Sequence, residues 1–426
     1  MTIAEKILAH RARKQKVHAG EIITVNVDCA MMDDALGPLL MNESFERLGK
    51  RIWNKDKVIV ISDHYTPAGT VEQADAVAFT RQWAKNNHIS NYFEGVGPCH
   101  QILAEYGFAK PGTLLAGTDS HTCTAGAFGC FGTGIGTTEM LAVLATGEIW
   151  LRVPQTMRIK WEGKMPFGIM AKDLILKCIG DIGHDGATYM AMEFTGETIR
   201  NLPMEERMCI TNMCVEAGAK TGLIETDQKT ADFLSKHGNS YVYEKIASDD
   251  NAIYLHDYLY DASELTPQIA CPHNVDNVKS ITNVGTVPIH RAYIGSCTGG
   301  RITDLIAAGM ILKEHKVAPT CQLMVSPASQ STWIEAEKRG ILRILAEAGA
   351  VILPPACGAC LGANSGLLGK GENCISSSNR NFRGRMGSKD ANIYLGSPAT
   401  VAASAAAGHL ADCRSYIKED FEWMTD

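Results

Sequence analysis

Hydrophobic and polar positions along this chain follow two rhythms, short β-type apolar runs and longer stretches of helical period, and the two take turns. Such alternation is the pattern of α/β layers. Ile22 to Val27, Lys57 to Ser62 and Thr113 to Ala116 read as strands, each running into a polar loop. Glu139 to Trp150 and Ala171 to Gly180 read as helices, and Met157 to Trp161 as a strand after Pro154. Further on, Ala292 to Gly295 reads as a strand, Ile302 to His315 as a helix, Gln322 to Ser326 as a strand and Trp333 to Ala348 as a helix. Ala350 to Leu353 is then a strand, and Ser397-Pro398 opens a last Ala-rich helix, with Ser as N-cap and Pro in the first turn. No internal repeat or low-complexity tract interrupts the alternation.

With 426 residues the chain has room for two or three domains with large cores. The strand after Pro154 and the polar stretch from about 227 to 288, which holds Pro267, Pro272 and Pro288, divide it into expected units of 1–152, 153–270 and 271–426. The first unit carries the Asp-His motifs, the second Asn212 and Glu216, and the third the cysteine and arginine loops described below. Hydrophobic residues make up 45% and charged residues 20%, and no apolar run reaches the length of a membrane span. Met1-Thr2-Ile3-Ala4-Glu5-Lys6 lacks the apolar core of a secretory signal and reads as an ordinary helix, so a cytoplasmic protein is expected. A net charge of −7 and only 7% aromatic residues argue against general affinity for nucleic acid or anionic lipid. An anionic substrate would therefore need local arginines.

Fourteen cysteines would mean disulfides in a small secreted domain, but in a long chain without an export signal most read as reduced, buried apolar residues. Three stand apart. Cys297 lies in Gly295-Ser296-Cys297-Thr298-Gly299-Gly300-Arg301, and Cys357 and Cys360 form the chain's one CxxC, in Ala356-Cys357-Gly358-Ala359-Cys360-Leu361-Gly362. Both loops follow strands, where ligands collect in α/β sheets. Three thiolates in that arrangement can hold three irons of a cubane and leave the fourth as a Lewis acid. Structural zinc usually takes two CxxC pairs or nearby histidines, which disfavours it here, whereas a redox CxxC stays open.

Glycine-rich segments were natural candidates for nucleotide sites. Gly129 to Gly136 gives no GxGxxG directly after a strand, and Gly369-Lys370 is followed by Gly371 rather than Ser or Thr, so neither has the required pattern. Asp63-His64 and Asp119-Ser120-His121 both follow strands. A carboxylate beside an imidazole sets its tautomer and raises its pKa, which suits an acid that protonates a leaving hydroxyl. A loop-capping Asp beside a surface His is the alternative, and the presence of both motifs with His100 weighs against it. Asn212 and Glu216 lie four apart on an expected helix through Ala219, a polar stripe among apolar neighbours. Ser378-Asn379-Arg380-Asn381-Phe382-Arg383-Gly384-Arg385 gathers guanidinium groups and amides, either as a solvated basic loop or as a fork for carboxylates.

Together these motifs resemble the aconitase family, and within it the large-subunit branch of 3-isopropylmalate dehydratase, homoaconitase and 2,3-dimethylmalate dehydratase. The resemblance runs from about Val25 to Asp412, and GSCT before Arg301, the CGAC pair, SNRNFRGRMG, GTDSHT at Gly117 to Thr122 and NMCVEAGA at Asn212 to Ala219 carry it. It implies an α/β fold of three αβα layered domains around one 4Fe-4S cluster, without the mobile fourth domain of full-length aconitases. Cys297, Cys357 and Cys360 would hold the cluster, one of whose irons would lack a protein thiolate. Asp63 and His64 would protonate the departing hydroxyl, with His100, Asp119, His121 and Glu216 in the surrounding network. Arg380 and Arg385 would bind substrate carboxylates, and Asn379 and Asn212 would contact cluster or water.

The missing domain's serine base and further arginine imply a separate small subunit as partner, with a small dicarboxylate as substrate and neither nucleic acid nor membrane. The chain alone should bind the cluster but turn over poorly. It departs from the branch at Gly299, where Asn is usual, at Ala359, where Pro is common, and at Asp33, where relatives often carry His or Asn. Ala363-Asn364-Ser365-Gly366 also replaces a commoner His-containing sequence. These changes are compatible with dehydration of 3-isopropylmalate or of another 2-alkylmalate such as 2,3-dimethylmalate, with homoaconitase as the next reading. In another class stand a cluster-binding regulatory protein and a CxxC redox protein.

Overall fold

The computed structural model describes residues 1–239 and 245–417. The chain divides into two compact units, one of Met1–Glu94, Cys99–Glu162 and Ala187–Tyr260, the other of Gly95–Pro98, Gly163–Gly186 and the chain from Asp261 onward. No helix among the described residues is long and apolar enough to cross a membrane.

The first unit is built on a five-stranded, all-parallel sheet with the spatial order Tyr92–Glu94, Val58–Ser62, Cys29–Asp33, Leu114–Gly117, Phe131–Gly134. Its inner strands are apolar on both faces, and Val58, Ile59, Val60 and Ile61 are all fully buried, as a parallel sheet covered on both sides requires. Helix Val71–Asn86 is started by Thr70, whose hydroxyl accepts from the Gln73 backbone N–H. Three neighbouring strands end at Asp33, Ser62 and Gly117, so the loops carrying Asp33-Asp34, Asp63-His64 and Asp119 leave the same edge of the sheet. A second sheet of the same unit takes Thr221–Ile224, Ala191–Thr195, Thr156–Glu162 and His256–Asp261 in that order.

The helix expected through Trp150 stops at Thr146, because Gly147 turns left-handed at φ 73° and caps it. Glu148–Arg152 then becomes a strand, paired antiparallel with Ile22–Asn26. Ile149 and Leu151 point inward while Trp150 is exposed, a period of two that outweighs the helical reading.

The second unit holds a seven-stranded sheet in the order Val278–Ser280, Gln268–Ala270, Asn392–Leu395, Asn373–Ser376, Arg291–Ile294, Gln322–Val325, Val351–Ile352. The last five strands are parallel. Ile294, Leu323, Val325 and Ile375 join Leu305, Ala307, Ile311, Ala399 and Ala403 of the flanking helices in one buried cluster. Ser397 caps helix Pro398–Ala407 by accepting from the Thr400 N–H, with Pro398 in its first turn. The expected helix from Trp333 to Ala348 is instead two, Gln330–Lys338 and Ile341–Glu347, parted by Gly340 at φ 72°. Strands ending at Ile294, Ser376 and Ile352 lead into the loops of Cys297, Asn379 and Cys357.

One close approach fixes the packing beneath the first unit's loops. Gly126, on the 3₁₀ helix Ser120–Phe128, lies so near Gly222 that a Cβ on it would sit 1.5 Å from the Gly222 carbonyl oxygen. Gly126→Ala is expected to destabilise the protein by about 2 kcal/mol or more through overpacking, read as a lowered thermal midpoint by circular dichroism. A midpoint equal to wild type would mean that helix and strand do not pack so closely.

Candidate active site

In the first unit the carboxyl ends of three parallel strands bring acids and imidazoles together. Asp63 Oδ1 lies 2.8 Å from His64 Nδ1, and its Oδ2 accepts from the Cys99 backbone N–H at 2.6 Å. Asp34, which the sequence reading passed over, accepts from the N–H groups of Asp63, His64 and Tyr65 and so fixes that loop. Asp119 Oδ1 lies 2.7 Å from His100 Nε2 and accepts from the His121 N–H at 2.7 Å, while its Oδ2 is 3.8 Å from His64 Nε2. His121 Nε2 continues to Glu216 Oε1 at 2.7 Å. Asp63, His64, Asp119, His100, His121 and Glu216 thus form one continuous chain of carboxylates and imidazoles, and His64, His100, His121 and Glu216 are each at most 5% exposed.

The charges in this chain are shared. Burial pushes the Asp119 carboxyl up, but the charge of His100 and hydrogen bonds from His100, His121 and His64 outweigh it and hold the group well below the usual carboxylate range. Burial likewise pushes Asp34 up, and the hydrogen bond and charge of His64 bring it down again. Burial, reinforced by Asp63 and Asp119, raises the Cys99 thiol, which therefore stays neutral beside them.

Asn212 and Glu216 reach this region by different geometry from the single helix expected. The α-helix ends at Asn212 and tightens into a 3₁₀ turn over Met213–Ala217. Asn212 Nδ2 donates to Thr124 Oγ1 at 2.9 Å while Glu216 meets His121, so both contact the segment Ser120–Phe128. The α-helical spacing argument does not hold there. Tertiary partners orient the two side chains.

In the second unit Cys297 follows the central strand Arg291–Ile294, and the residue before it, Ser296, is held at φ 69°, uncommon for a residue with a side chain. Cys357 and Cys360 flank the start and middle of the one-turn helix Gly358–Leu361. The Asn379 amide joins the two loops, with Nδ2 3.8 Å from Cys297 Sγ and Oδ1 3.6 Å from Cys360 Sγ. Tyr293, buried in the strand that leads to Cys297, has its hydroxyl pushed up by burial and then by the nearby thiols of Cys360, Cys357 and Cys297. Soft sulfur donors on two loops joined by one amide suit an iron–sulfur cluster better than a hard cation.

Arg380 and Arg385 are both half-buried in the neighbouring loop. That loop is anchored from below by Lys172, 1% exposed, whose Nζ donates to the carbonyls of Ser377 at 3.0 Å and Ser378 at 2.6 Å. Asn381 Nδ2 ties its far side to the Cys271 carbonyl at 2.8 Å. Lys172 gave no signal in the sequence, since a lone lysine in a helical stretch usually reads as solvated. Position 299 also has a structural reason to be glycine: a Cβ there would lie 2.3 Å from Ser377 Oγ. That hydroxyl accepts from the Gly295 N–H and donates to the Gly299 carbonyl.

The family model of the aconitase family (aconitate hydratase) matches residues 5–289 and 279–408. A probable 3-isopropylmalate dehydratase large subunit of Methanothermobacter thermautotrophicus is 45% identical over 412 residues, covering 96% of this chain and 98% of the relative. The 3-isopropylmalate dehydratase large subunit 1 of Methanopyrus kandleri is 44% identical over 417 residues, 98% of this chain and 99% of that one. A probable methanogen homoaconitase large subunit of Methanosarcina mazei is 46% identical over 390 residues, covering 91% and 99%. The matches run through both compact units and through every loop described above, and on them the chain belongs to the aconitase family.

Proposed function

We propose that this chain is the large, cluster-binding subunit of a hydro-lyase that reversibly dehydrates a 2-alkylmalate-type hydroxy-dicarboxylate, 3-isopropylmalate or 2,3-dimethylmalate. The observation that carries this reading is the run of carboxylates and imidazoles from Asp63 to Glu216, hydrogen-bonded except for a 3.8 Å step from His64 to the partly exposed Asp119, which neither a redox CxxC protein nor a purely regulatory cluster protein needs.

Cys297, Cys357 and Cys360 would hold one 4Fe-4S cluster, one iron of which has no protein thiolate. When bound, that cluster supplies a Lewis acid for the substrate hydroxyl and one carboxylate. Asp63 pins Nδ1 of His64 and leaves Nε2 to carry the transferable proton, so His64 is the acid that converts the departing hydroxyl to water. Asp119 orients His100 and His121 and, through its other oxygen, faces His64 Nε2. Glu216 fixes the His121 ring. Arg380 and Arg385 neutralise the substrate's carboxylates, which lowers the cost of removing the neighbouring C–H proton. That proton goes to a base on a separate small subunit, the partner that the relatives' designation as large subunits implies. A longer substrate of the homocitrate type is the second reading, supported by the relative named as a homoaconitase large subunit.

The chain co-expressed anaerobically with its small subunit is expected to turn over at least one of 3-isopropylmalate, 2,3-dimethylmalate and homocitrate. Inactivity on all three with a fully loaded cluster would rule the reading out. Cys297→Ser should abolish the visible absorption of the anaerobically reconstituted chain, and an unchanged spectrum would mean that Cys297 holds no iron. Arg380→Lys replaces a planar fork by a point charge and should lower kcat/KM about 10- to 100-fold. Unchanged kcat and KM would remove Arg380 from the site.

A further inference from the structure

Four carboxylates surround the ring of His64. Asp63 Oδ1 lies 2.8 Å from Nδ1, Asp34 Oδ1 3.6 Å and Asp33 Oδ1 4.0 Å from the same nitrogen, and Asp119 Oδ2 lies 3.8 Å from Nε2. Three of them have a plain use elsewhere. Asp63 also holds the Cys99 N–H, Asp34 holds the loop through three backbone N–H groups, and Asp119 serves His100 and His121.

Asp33 is different. It ends strand Cys29–Asp33, is 0% exposed, and caps its own turn by accepting from the N–H groups of Ala35 at 2.8 Å and Leu36 at 2.6 Å. Its other oxygen accepts from Thr118 Oγ1 at 2.6 Å. An asparagine would keep the two turn contacts through its Oδ1, and only the Thr118 bond would have to reverse, its Nδ2 donating to the hydroxyl that now donates to Asp33. The turn needs an acceptor and not a charge. A buried charge is costly unless something gains from it, and the cation at hand is the His64 ring.

We propose that Asp33 is a positioning residue for His64, whose fully buried charge 4.0 Å from Nδ1 holds the ring doubly protonated to higher pH and so keeps the proton donor loaded. This rests on His64 being the acid of the reaction proposed above. Burial pushes the Asp33 carboxyl up, protonated His64 and the Thr118 hydroxyl pull against it, Asp119 and Asp63 push it up again, and the balance lies above the usual carboxylate value, so the charge of Asp33 leans on the proton of His64. The attraction is mutual: whatever His64 does for the charge of Asp33, Asp33 does for the proton on His64. Asp34, Asp63 and Asp119 also face the ring, and Cys99, a neutral thiol, lies within its electrostatic reach. The sign follows from the charge. A carboxylate beside an imidazole favours its protonated form, so removing the one at 4.0 Å should let the ring lose its proton at lower pH.

The test is a ¹⁵N-histidine NMR titration of the full chain, with the His64 signal assigned through His64→Gln. Asp33→Asn should lower the His64 pKa by about one unit or more. In the loaded enzyme with its small subunit, the alkaline limb of the kcat profile should move down by the same amount. An unshifted His64 overturns the proposal. A second measurement needs no variant: ¹³C NMR of aspartate-labelled wild type should show Asp33 as a carboxylate near pH 7, and a protonated carboxyl there also overturns it. Because the titrations are read on the chain itself, their failure is distinct from failure of the proposed reaction, which would show as no dehydration of any substrate while His64 still shifts.

Discussion

Asp119 has to keep its charge with only 17% of its side chain exposed, and the surroundings of the first unit's site are arranged to meet that requirement. Its oxygens are shared among His100, the His121 backbone and His64, and the hydrogen bonds of those partners reach Glu216 on one side and Asp63 on the other. Each imidazole is therefore gripped by carboxylate, and each recessed carboxylate is met by imidazole or backbone N–H. Each orphaned charge in such a network would carry its full desolvation cost, and the one ring nitrogen left without a partner among these residues is the buried Nδ1 of His100. The parallel sheet solves the problem by delivering Asp33, Asp63 and Asp119 from three adjacent strand ends, at fixed spacing and from one edge.

The second unit meets a related demand with backbone groups. Its site loops are short, glycine-rich and strained at Ser296, so they need supports from below. Lys172 supplies one by spending a buried ammonium on two consecutive carbonyls, those of Ser377 and Ser378, directly before Asn379 and Arg380. Gly362, at φ 72°, lets the CxxC loop close on the arginine loop, where a Cβ would lie 2.7 Å from the Arg385 carbonyl oxygen. The thiols and the arginines are thus set by one packed arrangement and not by two independent loops.

Much of this was legible in the chain because parallel strands buried on both faces read as continuous apolar runs, and the polar residues directly after them mark the ligand-bearing edge. Lys57 to Ser62 followed by Asp63-His64 is the clearest case. Strand Cys29–Asp33 was not legible, since Met31-Met32-Asp33-Asp34 has weak β propensity and ends in charge. Only the pairing with Val58–Ile61 and Leu115–Gly117 makes it a strand, and with it Asp34 was missed altogether. The five-residue strand around Trp150 is hidden behind a helix of good periodicity, and Gly147 is the stop signal that parts them. The break at Gly340 was overlooked in the same way. For Asn212 and Glu216 the sequence located the residues without the geometry, because a shift from α to 3₁₀ spacing leaves no compositional trace.

Gly299 shows how a departure from a family pattern can be read physically. The missing side chain could have signalled a lost contact beside the thiols. In the folded unit the space it would need is filled by Ser377, whose hydroxyl is bonded to the backbone on both sides of Cys297, at Gly295 and Gly299. The amide that stands against the sulfurs is that of Asn379, two residues further along the same loop. Gly299 is thus the condition for that loop to approach Cys297 so closely, and its effect on chemistry is indirect, through the placement of Asn379. Asp33 is the reverse case, a charge where an amide could hold the same turn, and such a charge acts on its titrating neighbour His64. Gly299 thus acts on packing in the second unit and Asp33 on proton affinity in the first, so it is through Asp33 that the pH dependence of the activity should be tuned.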